Sequence, residues 1–147
     1  MTEENKKLLL IDLGSRLLYG VIVRHADAIV DPEGNETGEF FYRQGYLYDV
    51  CRMDDMTTTI IESKGSEDEG YDHICLLERT LPYLRPMSSM TAEEYKEYDS
   101  KRSHICDEYN RYCFETIESI DWLLEHHFDF RDLLEKDLAL EAPEGMY

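Results

Sequence analysis

The sequence predicts an α+β fold in a single domain spanning 1–147. An N-terminal helix comes first, then a small antiparallel β-meander or SH3-like curled sheet, then one long helix and a short C-terminal helix. Three observations carry this. Leucines recur at helical spacing within the first twenty residues. Short β-branched and aromatic runs, separated by turn residues, fill 21–80. Beyond residue 91 an apolar stripe returns every three or four positions behind a capping box.

The elements follow in order. Leu10, Leu13 and Leu17 share a helical face over 3–18, and Leu9 widens it. Thr2 is placed to cap that helix, Glu3 and Glu4 suit its positive end, and Gly20 can close it. Within 21–80, Val21-Ile22-Val23-Arg24 reads as a strand and Asp31-Pro32-Glu33-Gly34-Asn35 as a turn. Tyr46 to Cys51 alternates, which places Tyr46, Tyr48 and Val50 on one face. Asp54-Asp55 marks a turn before Thr57–Ile61, Ser63–Gly70 reads as an acidic loop, and Tyr71–Leu77 as a last strand. Pro82 and Pro86 hold 81–90 extended, because each proline disfavours helix at the residue before it.

Thr91-Ala92-Glu93-Glu94 is the capping box, with Met90 and Tyr95 placed as a hydrophobic staple. No Gly or Pro interrupts 92–127, so one long helix is expected, with a break near Ser100–Ser103 as the alternative. His126-His127-Phe128-Asp129 ends it. Asp129 then caps a shorter helix carrying Leu133, Leu134 and Leu138 inward, before Pro143 and Gly145.

Length and composition set the bounds. At 147 residues, folding buries roughly two thirds of the unfolded surface, so neither a metal nor a disulfide staple is required. With 33 Asp+Glu against 15 Lys+Arg the net charge is -18, which disfavours direct binding to nucleic acid. At 42% hydrophobic and 12% aromatic the chain is too apolar for a disordered acidic tail. Residues 91–147 hold 16 acids and 6 bases, and residues 1–90 hold 17 and 9, so the charge is spread over both halves. Four cysteines, none in a CxxC pair, read as reduced thiols of a cytoplasmic protein; Cys106 and Cys113 on one helix would lie beyond disulfide reach. Leu8–Ile11 is too short for a signal core or membrane span.

Three strings carry a resemblance: Pro82-Tyr83-Leu84-Arg85-Pro86-Met87-Ser88-Ser89-Met90-Thr91, then Asp121-Trp122-Leu123 with His126-His127-Phe128-Asp129-Phe130-Arg131-Asp132-Leu133, then Leu138-Ala139-Leu140-Glu141-Ala142-Pro143. Together they resemble a group of small acidic proteins of gut Bacteroidetes, their phages and their mobile elements. The resemblance covers 80–147 and the first helix, not 25–75. It implies a genomic setting and no specific activity. Phe130 and Asp132 stand where that group leads one to expect Tyr and Gly.

Candidate chemistry is sparse. His104, Asp107 and Glu108 fall one helical turn apart, the spacing of a metal face. His126 and His127 suit a helix C-terminus through its dipole. No phosphate-binding glycine loop, nucleophile elbow or Cys/His signature occurs, and no cofactor is expected. Cys113 falls on the apolar stripe and reads as core, as do most tyrosines of the long helix. Arg85, an isolated cation in a rigid segment, either clamps an external carboxylate or ties the junction to an acidic helix; the second reading is preferred.

The functional expectation is a non-catalytic acidic accessory protein that binds a basic protein partner, one that handles nucleic acid, in its sharpest form as a nucleic-acid mimic. The residues expected to carry it are Glu93, Glu94, Glu97, Asp107, Glu108, Glu115 and Glu118, with Tyr83 and Arg85. The alternatives are a small metal-dependent enzyme using His104, Asp107 and Glu108, and a structural homodimer paired through the long helix.

Overall fold

A computed structural model describes residues 1–53, 56–63, 72–106, 108 and 110–147. Thr2 accepts a hydrogen bond from the Asn5 N–H and starts α1 (Glu3–Arg16). A 3-10 turn, Leu17–Tyr19, follows and ends on Gly20 at φ 64°, a backbone state that glycine enters without strain. The buried face of α1 is Leu9, Asp12, Leu13 and Arg16, while Leu10 turns outward. The expected leucine stripe is therefore rotated, because the inward face includes an ion pair that hydropathy alone does not register.

Five strands form the body of the sheet: β1 (Ile22–Val30), β2 (Glu36–Met53), β3 (Met56–Ser63), β4 (Asp72–Leu76) and β5 (Thr80–Pro86). Their order is β4-β3-β2-β1-β5, every pair antiparallel, with a 3-10 turn at Leu77–Arg79 between β4 and β5. The sheet curls enough for a β4 side chain, Cys75, to meet one from β1, His25. This is the curled alternative anticipated from the sequence.

Asp31 Oδ1 accepts from the Asn35 N–H and holds the β1–β2 turn, as expected. In β2, Leu47 pairs with Ile61 and Asp49 with Ile60, so Tyr48 is an extra, bulged residue. The bulge breaks the expected common face: Leu47 is buried, Tyr46 and Tyr48 are exposed, and Val50 packs on the core. Gly45 is needed where β2 crosses β3, since a Cβ there would stand 2.4 Å from the Glu62 carbonyl oxygen. The Asp54-Asp55 turn and the loop at 64–70 lie outside the described residues.

The proline-bracketed junction is extended only in its first half, which β5 occupies; Met87–Ser89 winds into a 3-10 turn rather than staying extended as expected. β5 is the hub of the molecule. It pairs with β1 on one side. Further along it takes two short parallel partners, β8 (Phe128–Asp129) and β9 (Leu140–Glu141). One core, built on Leu9, Leu13, Val23, Leu47, Ile61, Leu84 and Leu133, lies under the curled sheet. A second joins Tyr98, Trp122, Leu123 and Phe128, with Met90 and Phe130 against it.

The long helix is the main correction. α2 (Ala92–Lys101) stops early, a hairpin of β6 (Ser103–Cys106) and β7 (Arg111–Phe114) follows, and α3 (Ile117–Glu125) begins afresh. A second capping box explains the restart. Thr116 Oγ1 accepts from the Ser119 N–H, and Ser119 Oγ accepts from the Thr116 N–H. Ile105, Tyr112 and Phe114 then alternate at period two on one face of the hairpin, all exposed. Cys113 is exposed on the other face, not core. Cys106 and Cys113 stand on facing strands rather than along one helix, and all four thiols are free. The expected short C-terminal helix is a series of turns. Asp129 does cap it, accepting from the N–H groups of Leu133 and Leu134, and Leu133 and Leu138 are buried as expected. Among the described residues no helix is long and apolar enough to cross a membrane.

Candidate functional site

A cleft opens where the end of β5, the start of α2 and the C-terminal segment meet. It encloses about 460 Å³, within the usual range for a ligand-sized pocket. Arg85, Pro86 and Ser89 form one wall, Glu94 another, and Glu141 to Tyr147 the third.

Local chemistry fixes each wall. The Arg85 backbone N–H donates to the His127 carbonyl at 2.8 Å, which pins β5 to the strand after α3. Its guanidinium lies 4.3 Å from the centre of the Phe128 ring and donates to both oxygens of Glu94, at 2.8 and 3.0 Å. Glu94 also accepts from the Thr91 N–H, completing the capping box. These bonds, the Arg85 pair foremost, hold its carboxyl down to about 2. The preferred reading of Arg85 is thus met: it ties the junction to the acidic helix.

The third wall is held by the C-terminal tyrosine. The Tyr147 hydroxyl donates to the Tyr83 carbonyl and accepts from the Ile22 N–H, while its ring stacks on His127 at 3.7 Å. Burial pushes the Tyr147 hydroxyl up to about 12 and His127 down to about 4. His127 sits at φ 59°, in the left-handed region, on the turn that leaves α3. Glu141 and Glu144 are exposed at the rim and have no cation partner among the described residues, since Arg85 is spent on Glu94. The cleft is therefore anionic.

The expected binding residues divide. Glu93, Glu97 and Glu118 are exposed on α2 and α3, and Asp121 and Glu125 extend the acidic face of α3. Glu115 is engaged: it accepts from Tyr98 and Ser119 and forms an ion pair with Arg102. Tyr83 is buried and its hydroxyl accepts from Gln44, so it is no surface anchor. Glu108 is exposed in the hairpin turn, and Asp107 lies outside the described residues. The helical metal face does not form. His104 is on β6, and its neighbours are Asp99 on α2 and Cys113 on β7, with Nδ1 3.2 Å from the Cys113 sulfur.

Two further groupings escaped the sequence reading. On one face of the sheet, Arg24 lies over Tyr42 at 4.8 Å and Arg79 over Phe40 at 5.1 Å, while Arg43 lies over Phe41 at 5.0 Å on the opposite face. On the curl, His25, Asp27 and Cys75 converge, with His73 beside them. The signal for the second was present as His-x-Asp and His-x-Cys, residues two apart that share one face of a strand. No family model matches the chain, and neither the curated proteins nor the solved structures include a match to it.

Proposed function

We propose that the protein is a non-catalytic binding protein that receives the cationic side chains of a basic partner in the cleft between β5, α2 and the C-terminal segment. The observation that carries the reading is the state of Arg85. Its Nη1 and Nη2 both donate to Glu94, whose carboxylate matches its charge, so among the described residues Glu141 and Glu144 at the rim keep no cation partner. A Lys or Arg side chain entering there meets unpaired carboxylates beside an apolar wall of Pro86, Ala142 and Pro143.

The exposed acids of α2 and α3 would steer a cationic surface toward the cleft. Ile105, Tyr112 and Phe114 on the hairpin supply apolar area to desolvate after encounter. A partner that handles nucleic acid has the basic surface this requires. The phage or mobile-element setting rests on the sequence resemblance over 80–147.

A short oligo-arginine peptide titrated by fluorescence anisotropy tests the site. The double variant Glu141→Gln/Glu144→Gln should weaken binding several-fold, while Glu3→Gln/Glu4→Gln, with the same change of charge, should leave it nearly unchanged. Equal loss in both variants would show only bulk attraction and would remove the cleft from the proposal.

A further inference from the structure

β1 and β4 are not neighbours in the sheet, yet its curl brings them side to side. On β1, His25 and Asp27 stand two residues apart and so share a face; on β4, His73 and Cys75 do the same. The Cys75 sulfur is 3.0 Å from His25 Nδ1, and Asp27 Oδ1 is 3.8 Å from that same nitrogen. One ligand atom from each of His25, Asp27 and Cys75 falls within 4.8 Å of the other two. The His73 ring centre lies 5.6 Å from that of His25.

The hydrogen-bonding account of this cluster does not close. His25 is fully buried, and its Nε2 has no partner; the Nε2 of His73 is likewise buried and unpartnered. His25 Nε2 lies across the ring from Nδ1, the nitrogen that faces Cys75 and Asp27, so the convergent ligand atoms of the cluster are His25 Nδ1, Asp27 Oδ1 and the Cys75 sulfur. The donor set narrows the choice. A soft sulfur, an imidazole nitrogen and a single carboxylate suit a zinc-type divalent transition metal, not Ca²⁺ or Mg²⁺, which prefer shells of oxygen. Arg43 Nε lies 3.6 Å from the other Asp27 oxygen, which orients the carboxylate from outside as supporting partners of metal ligands do.

We infer that His25, Asp27 and Cys75 form a zinc-type metal site that staples β4 to β1 and closes the curl of the sheet. Binding displaces the thiol proton to solvent and leaves a thiolate on the metal. Three protein ligands leave the fourth tetrahedral position to water. Asp27 is 41% exposed along its side chain, which gives the ion an entrance.

Cobalt(II) titrated into the full-length, chelator-treated protein tests this. Binding at this site gives one equivalent of tetrahedral cobalt with a sulfur-to-metal charge-transfer absorption. Cys75→Ser abolishes that absorption. Asp27→Asn, at the accessible edge, weakens binding at least ~10-fold while the protein stays folded by circular dichroism. Cys113→Ser, in the exposed grouping with Asp99 and His104, leaves the spectrum unchanged. Zinc raises the thermal midpoint of the parent protein and not that of Asp27→Asn. No charge-transfer absorption, its survival in Cys75→Ser, its loss in Cys113→Ser, or full affinity in Asp27→Asn would each overturn the assignment.

Discussion

Arg85 and Glu94 form a two-pronged ion pair across the cleft, at 2.8 and 3.0 Å, with the guanidinium also resting on Phe128. One carboxylate therefore caps α2, binds β5 and fixes the opening between them. Its charge state governs how well the two halves of the chain are joined.

Acid should loosen that joint in a defined window. Glu94 titrates near 2 when folded and near 4.5 when free, so its contribution is complete above 4.5 and is lost as pH falls from 4.5 toward 2. The pair is partly open to water, which limits the contribution to about 1–2 kcal/mol. Urea midpoints measured across that range should fall less steeply in Glu94→Gln than in the parent protein. Parallel curves would mean that the ion pair contributes nothing.

His127 should act in a different window. Its folded form titrates near 4 against 6.5 in the unfolded chain, because burial and the nearby Arg16 disfavour the charged ring. Below 6.5 the unfolded chain takes up a proton that the folded chain refuses, so stability declines from 6.5 down to 4 and then levels. The decline attributable to this ring is about 2–3 kcal/mol. Asn tolerates the positive φ, so His127→Asn should flatten that part of the profile without refolding the turn. A profile of unchanged slope between pH 6.5 and 4 would rule out the buried neutral ring as its source.

Asp12 holds two arginines at once. Arg16, fully buried one helical turn later, donates through Nε at 2.7 Å, and Arg131 donates through Nη1 at 2.7 Å. Arg16 also reaches the Phe128 carbonyl at 2.8 Å, linking α1 to β8. Asp12→Ala leaves a buried guanidinium without its counter-charge and should cost about 3–5 kcal/mol in chemical denaturation. Arg131→Ala, at a half-buried position, should cost clearly less. Equal losses would show that the burial of Arg16 is not the source of the effect.

What the sequence conveyed depended on how local the signal was. The Thr91–Glu94 box and the Asp31–Asn35 turn are encoded within five residues and form as read, and Asp129 makes its expected capping bond, though to turns rather than to a helix. Arg85 was legible for a related reason: two prolines made its segment extended, and the nearest acids were those of α2. The hairpin at 103–114 was not. Ile, Tyr and Cys fit both periodicities there, no Gly or Pro marks the turn, and the signal that α3 starts afresh is a Thr–Ser box weaker in appearance than the usual Thr–Glu. The rotation of α1 was hidden because Asp12 and Arg16 are core residues only as a pair. The cluster on the curl left only its two halves, His-x-Asp and His-x-Cys, in the sequence, and their meeting was hidden for a geometric reason. His25 and Cys75 are 50 residues apart and meet only through the curvature of a sheet whose strand order sequence does not state.

Binding to the oligo-arginine peptide at two ionic strengths tests the central claim most directly. Attraction between the acidic cleft and a cationic partner should weaken about tenfold or more between roughly 50 and 200 mM salt, as the Debye length contracts. The Glu141→Gln/Glu144→Gln variant should bind more weakly at both and respond less to salt. An affinity that stays level across that range, or a variant that matches the parent protein, would contradict the account.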